Sequence, residues 1–569
     1  MFCQLVYLRG CIPSRIWCVL KDLPKNLDET YARTLEEIDE RNWKYAHRLF
    51  QCVAAASRPL LVNELAEFLA FDFDAGSTPT FLSDWRPEDP LHTVLSICSS
   101  LLAVVRPGDG FPVVQFAHFS VKEYLTSARL AEAKDTISHF HVSTTRAHTI
   151  IAQACLGVLL HLDENVTKDS LENVPLAMYA AEHWVCHAQM GDVSSNLQDG
   201  VERLFNPSKS HLSAWVWICD PELLWLRPQI SERPVKARAI PLHYASFFGM
   251  HDIVKFLIVE HSQDVGARGF DKKETPLHVA LRQGNVDVAQ LLLEHGADVE
   301  AQDDDKCTPL LLASQCGHVE VARILLERGA DTEARDYMKR IPLLLASEYG
   351  HEEIVRVLLE HGADTEARDE SGWSSLELAS FHGNEELARV LLMHGADVIA
   401  QYRDNRTPLH FTQGQEVTRL LLEQGADANA LDIKGRTPLH QVSEHGHMGA
   451  VRVLLEYSAD PNARDVNDVT PLHLASRGGH PDVVRLLLQY SSDIHARDDM
   501  GRNPFMRTTG KGDHSITQLL SEYGAGDDGI EEIPIGVAAS NGGDQGNKGG
   551  EMAEAGETKR SKRVIRRRL

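Results

Sequence analysis

Between residues 240 and 524 the apolar positions recur on two scales. Within a short window they follow helical spacing. Val286, Val288, Leu291, Leu292 and Leu293 make one apolar stripe, with polar residues filling the other face. Over a longer window, TPLHVALRQGNVDVAQLLLEHGADVEAQDDDKC (275–307) is followed at once by TPLLLASQCGHVEVARILLERGADTEARDYMKR (308–340). With Pro276 as marker, the equivalent positions are Pro241, Pro309, Pro342, Ser375, Pro408, Pro438, Pro471 and Pro504. The steps between them are 35, 33, 33, 33, 33, 30, 33 and 33 residues, so nine units span about 240–524.

Each unit predicts a turn, a helix, a second helix and a hairpin. Thr275 is placed to cap a helix whose first position is Pro276, where a missing N–H costs nothing. Gly284 ends that helix, Gly296 stops the second, and DVEAQDDDK makes the projecting loop. The T-P-L-H-x-A signature together with the 33-residue period resembles the ankyrin repeat, over roughly half of the chain. The resemblance implies stacked helix pairs with β-hairpin tips projecting at right angles. Physically, a few leucines per unit cannot offset the entropy of ordering 33 residues, but stacked neighbours share one continuous core. Repetition extends a surface, and extended concave surfaces bind partners. Four units depart from the pattern, the fourth because it begins Ile341-Pro342. The sixth lacks three residues in its first helix or turn, the fifth has Ser374-Ser375 for Thr-Pro, and the ninth carries Thr508, Thr509, Lys511 and Ser515 as a terminal cap would.

The first 230 residues are helical in period but not repeated. Amphipathic helices are expected at 27–39, 42–56 and 61–70. Val94–Val105, GDG at 108–110 and VVQFAH at 113–118 predict helix, strand, tight turn and strand, before a helix at 118–127. Three helices and a two-stranded wing make a winged-helix order. LPKNLDETYARTLEEID, ASRPLLVNELAEFLA and QFAHFSVKEYL are similar to the post-ATPase region of fungal NACHT proteins, relatives of NOD-like receptors. That resemblance implies a winged helix of the kind named after GPI inositol-deacylase, a name that carries no lipase chemistry with it. The expected fold class is mainly α: a winged-helix and helical N-terminal region followed by an ankyrin-repeat solenoid. The expected domains are a remnant of the post-ATPase segment (1–22), the winged helix (23–130), a helical linker domain (131–232), the repeats (233–524) and a polar tail with a basic end (525–569).

Chemistry is sparse. No G-x-x-x-x-G-K-[ST] occurs; TTGKGD at 508–513 lacks the upstream glycine and the hydroxyl residue after Lys511. Ser120 beside His118 lacks the G-x-S-x-G elbow. His139, His141 and His148 lie close together without a Cys or acidic partner to complete a metal spacing. His243, His278, His410, His440 and His473 recur in the TPLH position, and His318, His351 and His480 follow the mid-repeat glycine; periodicity marks them as structural. The ten cysteines include no CxxC pair, which fits a reducing compartment. No enzyme activity, metal or cofactor is expected. The net charge of −25 disfavours nucleic acid and anionic membranes as partners of the main body, and no run of 18 apolar residues spans a bilayer. KRSKRVIRRRL at the end, seven Lys or Arg in eleven residues, fits a nuclear-import signal, a nucleic-acid contact or a solvated tail. The chain is therefore expected in the cytoplasm, with the nucleus as the alternative.

The expected partner is a protein, held by loop tips and the exposed side of the first helices. Units four to six concentrate aromatics and arginine, the side chains enriched at binding hot spots. These are Tyr337, Met338, Arg340, Tyr349, Trp373, Phe381, His382, Tyr402, Arg403 and Arg406. The alternative is that Trp373 and Phe381 pack on neighbouring repeats around the irregular sixth unit. Three functions stay open: an interaction scaffold acting as sensor or adaptor, even by pairing with a full-length NACHT relative; part of an ATP-dependent switch whose nucleotide domain is missing from the gene model; and a nuclear regulator using the basic tail.

Overall fold

The computed structural model describes residues 27–508 and 514–524, apart from 75–77, 108–109, 134–135, 164, 191–192, 194–195 and 222–237. The segments assigned above to 1–22 and 525–569, two residues of the expected GDG turn (108–109), and Thr509 and Lys511 lie outside the described residues.

Amphipathic spacing produces the first helices, Leu27–Glu36 and Trp43–Ala55, where the pattern predicts them. The second buries Leu49, Phe50 and Cys52. Pro59 ends the helical run, and the chain extends as β1 (Leu60–Leu61) before helix Val62–Glu67. A short ladder of β2 (Phe71–Asp72) with β3 (Thr80–Phe81) follows, then helix Pro90–Cys98. The wing is β4 (Leu102–Val105) with β5 (Val113–Phe116). The wing sheet has three strands rather than two, in the order β1-β5-β4, because Leu60 pairs with Val114 from the side opposite Val104. A two-residue strand contains no complete alternation, so no periodicity could announce it.

Buried polar side chains join this winged helix to the helices that follow. Glu67, with a side chain only 2% exposed, accepts the Leu176 N–H at 2.8 Å and pairs with Arg86. The Tyr179 hydroxyl accepts the Ser57 N–H at 3.1 Å and lies 2.8 Å from His187 Nε2. His187 Nδ1 in turn lies 2.7 Å from His148 Nδ1. Burial pushes the His187 imidazole down to about 4, with His148 and His183 adding to the effect. The three histidines grouped in sequence thus part company. His148 turns to His187, His139 to the Thr136 carbonyl, and His141 offers His47 its backbone oxygen. Among the described residues no cluster of three potential metal ligands forms, and the seven described cysteines are free thiols.

The repeats begin directly against this region. Trp215 stacks on Phe248 with ring centroids 5.7 Å apart, and Arg238 pairs with Asp220 at 2.7 Å. In the regular units an inner helix of about eight residues and an outer helix of nine follow each other, as in Pro276–Gln283 and Val286–Glu294. Where the unit begins with Thr or Ser the side chain caps the inner helix, as Thr275 Oγ1 accepts the His278 N–H; Ile240 and Ile341 begin theirs without one. Each is stopped by a left-handed glycine. Gly317 has φ +84°, and a Cβ there would come within 2.8 Å of the His351 ring. Gly317→Ala is expected to lower unfolding stability by about 1–3 kcal/mol, measured by urea titration.

Four kinds of bond stitch unit to unit. First, the TPLH histidine accepts the Thr N–H on Nδ1, which fixes its Nε2–H tautomer, and Nε2–H donates to the next unit's backbone. His278 reaches the Cys307 carbonyl at 2.9 Å, His440 the Val469 carbonyl at 3.0 Å, and His473 the Arg502 carbonyl at 3.0 Å. Second, the mid-repeat histidines reach back; His318 Nε2 meets the Leu281 carbonyl at 2.7 Å. Third, Glu300, Glu333 and Glu366 accept the N–H of Asp331, Asp364 and Asp397 in the following unit. Fourth, successive tips share a main-chain bond, such as Tyr337 N–H to the Asp305 carbonyl at 3.0 Å.

The predicted hairpins are tight turns with two backbone bonds, the inner one from Lys339 N–H to the Asp336 carbonyl. Asp336 N–H meets the Arg340 carbonyl, and the Asp336 carboxylate accepts the N–H groups of Met338 and Arg340. The carboxylate replaces a strand ladder, so the tip is too short for strands to form; among the described residues of the repeats only Gly269 and Glu274 make an isolated bridge. The sixth unit, three residues short, keeps its Thr-Pro start but condenses the inner helix to the 3-10 turn Pro408–Phe411.

Candidate protein-binding surface

The tips point one residue of each turn outward, and its identity varies along the array: Asp304, Tyr337, Glu370, Arg403, Ile433, Val466 and Asp499. Tyr337 is 60% exposed, Ile433 61% and Val466 68%. Nothing in the stacking requires large apolar side chains there. Ile433 and Val466, with exposed Leu431 beside them, were missed by a reading that weighted aromatics and arginine. The signal was available, because Ile433 and Val466 each stand directly after the turn's fixed Asp, Asp432 and Asp465.

The ten expected contact residues divide into two groups. Tyr337, Tyr349, Phe381, His382 and Arg403 are exposed. Met338, Arg340, Trp373, Tyr402 and Arg406 are half-buried and already engaged or enclosed. Arg340 Nε donates to Asp336 at 2.8 Å and its Nη1 to Glu348 at 3.1 Å, which braces its own tip. Arg406 lies 3.0 Å from Asp404 and over the Phe411 ring.

Trp373 is the hub of an aromatic group. Its ring lies 4.6 Å from Phe411, 5.6 Å from Tyr402 and 5.7 Å from Phe381, centroid to centroid. Phe411 is the last residue of the condensed sixth-unit turn. Phe381 forms the exposed rim, 43% accessible. The arrangement is a half-buried aromatic packing group with Phe381 as its accessible edge.

Other candidates have local roles. His118 Nδ1 and Ser120 Oγ are 2.6 Å apart, with the Tyr31 hydroxyl 2.7 Å from Ser120. His118 is the N-cap of helix Phe119–Leu125, so the pair finishes a helix end. Buried Glu377 stands where other units carry the TPLH histidine; it accepts the Ser374 N–H and pairs with Arg368. Among the described residues no helix is long and apolar enough to cross a membrane.

Comparison with known proteins agrees with this architecture. Residues 34–142 match the winged helix domain of GPI inositol-deacylase. Residues 241–336 and 337–402 match ankyrin repeats in three copies, and 414–452 and 441–488 match ankyrin repeats in many copies. The azaphilone pigments biosynthesis cluster protein L of Monascus ruber is 30% identical over 294 residues, 49% of this chain and 61% of that protein. The vegetative incompatibility protein HET-E-1 of Podospora anserina is 22% identical over 208 residues, 33% of this chain and 14% of its own length. The human palmitoyltransferase ZDHHC13 is 42% identical over 66 residues, 12% of this chain and 10% of its own. The chain thus spans about three fifths of the first of these relatives and a small part of the others. Ankyrin repeats support a role in protein interaction. Fold, repeat chemistry and comparison agree that the chain carries ankyrin repeats behind a winged-helix domain of the GPI inositol-deacylase type.

Proposed function

We propose that this chain is a non-enzymatic interaction scaffold that captures a protein ligand on its repeat tips and on the aromatic edge of units four to six. One observation carries the reading. Three tips, held by the inward carboxylates of Asp336, Asp432 and Asp465, leave large side chains, Tyr337, Ile433 and Val466, accessible without a structural task. A few side chains that become fully desolvated supply most of the affinity in protein interfaces, and tyrosine is among the types enriched there. Phe381 and Arg403 extend the surface between them.

A role as the sensor or adaptor part of a NOD-like receptor-type system is the finer form of this proposal. It is supported by the motifs of the first 230 residues and by the similarity to a vegetative incompatibility protein. The test is affinity capture from native extract on the immobilised full chain. Tyr337→Ala combined with Ile433→Ala should reduce the captured ligand at least tenfold with an unchanged Tm. Undiminished capture by this variant and by Phe381→Ala would show that the surface is elsewhere.

A further inference from the structure

The joint between units five and six lacks every kind of stitch that the other joints use in combination. The outer-loop acceptor is gone: Ile399 occupies the place of Glu300, Glu333 and Glu366, so no side chain takes the Asp427 N–H. Beyond the joint the pattern resumes, with Asn429 accepting the Asp460 N–H at 2.8 Å. The tip bond is also gone. Tyr402 replaces the tip Asp, and its hydroxyl donates to the Ser371 carbonyl at 2.7 Å, the acceptor that the Arg403 N–H would use by analogy with its neighbours.

Side-chain stitches fail here too. Unit five has Glu377 in place of the histidine that would reach forward, an absence it shares with units three and four (Leu311 and Leu344), and unit six is too short to carry the histidine that would reach back. On the outer helices, Arg323 pairs with Glu353 and Arg356 with Glu386 across their joints, whereas Arg389 turns back to Glu385 within its own helix. What spans the joint besides helix packing is the Trp373 aromatic group and two side-chain bonds between the tips, the Tyr402 hydroxyl on the Ser371 carbonyl and the Arg403 guanidinium on the Glu370 carbonyl. Aromatic packing tolerates small rotations in a way that a set of directional hydrogen bonds does not.

In a repeat array cooperativity depends on the coupling between neighbours, so the weakest joint sets where the array divides. We propose that this array consists of two cooperative blocks, units one to five and units six to nine, meeting at a hinge braced by Trp373, Tyr402 and Phe411. The hinge lies directly under the Phe381 edge, so bending there changes the angle between the tips on its two sides.

Hydrogen exchange of the full chain, read by mass spectrometry across a urea series, tests this. Peptides from 415–423, 448–456 and 481–489 should lose protection together, at lower urea than those from 309–327 and 342–360. Ile399→Glu restores the acceptor for Asp427 on an exposed position, and should slow exchange in 415–423 at least threefold and narrow the gap. Phe411→Ala should widen the gap while leaving 309–327 unchanged. A single loss of protection across 276–489, or a division at another joint, overturns the proposal. So does Ile399→Glu with exchange identical to the unsubstituted chain.

Discussion

Trp373→Ala should destabilise the repeats by about 2–3 kcal/mol, at the lower end for a large aromatic because the ring is only half-buried. The loss arises because one side chain contacts Phe381, Tyr402 and Phe411 at once, and the shortened sixth unit has no helix turn to collapse into the vacancy. Tyr337→Ala removes a side chain of comparable reach from a tip whose turn is closed by Asp336 alone. Its expected effect on urea-induced unfolding is within about 0.5 kcal/mol. The pair separates bracing from binding: ligand capture should fall for both variants, but only Trp373→Ala should also shift the unfolding midpoint. Equal shifts for the two variants would mean that the exposed tip also carries stability.

The second large effect is with pH. His187 and His243 are fully buried, and burial holds each near 4 against an ordinary value near 6.5. Between those values the unfolded chain takes up protons that the folded chain refuses. Stability is therefore fully present above about pH 6.5 and is lost progressively as pH falls toward 4, by roughly 3 kcal/mol per histidine. His278, His410, His440 and His473, lowered in the same direction and for the same first cause, add to the slope. Urea midpoints at pH 7.5, 6.0 and 5.0 measure it. His243→Leu should flatten the dependence, since Leu311 and Leu344 already fill the same position in units three and four. A slope unchanged by that substitution would place the linkage on other groups.

The repeats were legible because their period is written in residues that do one job each. Thr275 caps, Gly317 takes a left-handed turn, and Leu292 fills the core; each acts within its own unit. The features that escaped depend on comparing units across a joint. Ile399 looks ordinary until the Glu at 300, 333 and 366 is known to bond the next unit. Tyr402 reads as a surface aromatic until Asp336 and Asp432 are seen closing the same turn. Arg340 and Arg406 read as free cations, but a carboxylate within a few residues already holds each of them. In and beside the winged helix, the β1–β5 pairing and the Ser57–Tyr179 bond join partners more than fifty residues apart, and no local pattern encodes such a meeting.

The stitches between units have a consequence for descent. In nearly all of them one end is main chain: a histidine or carboxylate on one unit meets a carbonyl or amide on the next. Every residue type offers those groups, so a block can be duplicated, deleted or exchanged without any matching change in its new neighbour. Such a gene can vary its recognition surface by copying whole modules, and each copy arrives already compatible with whatever it lands beside.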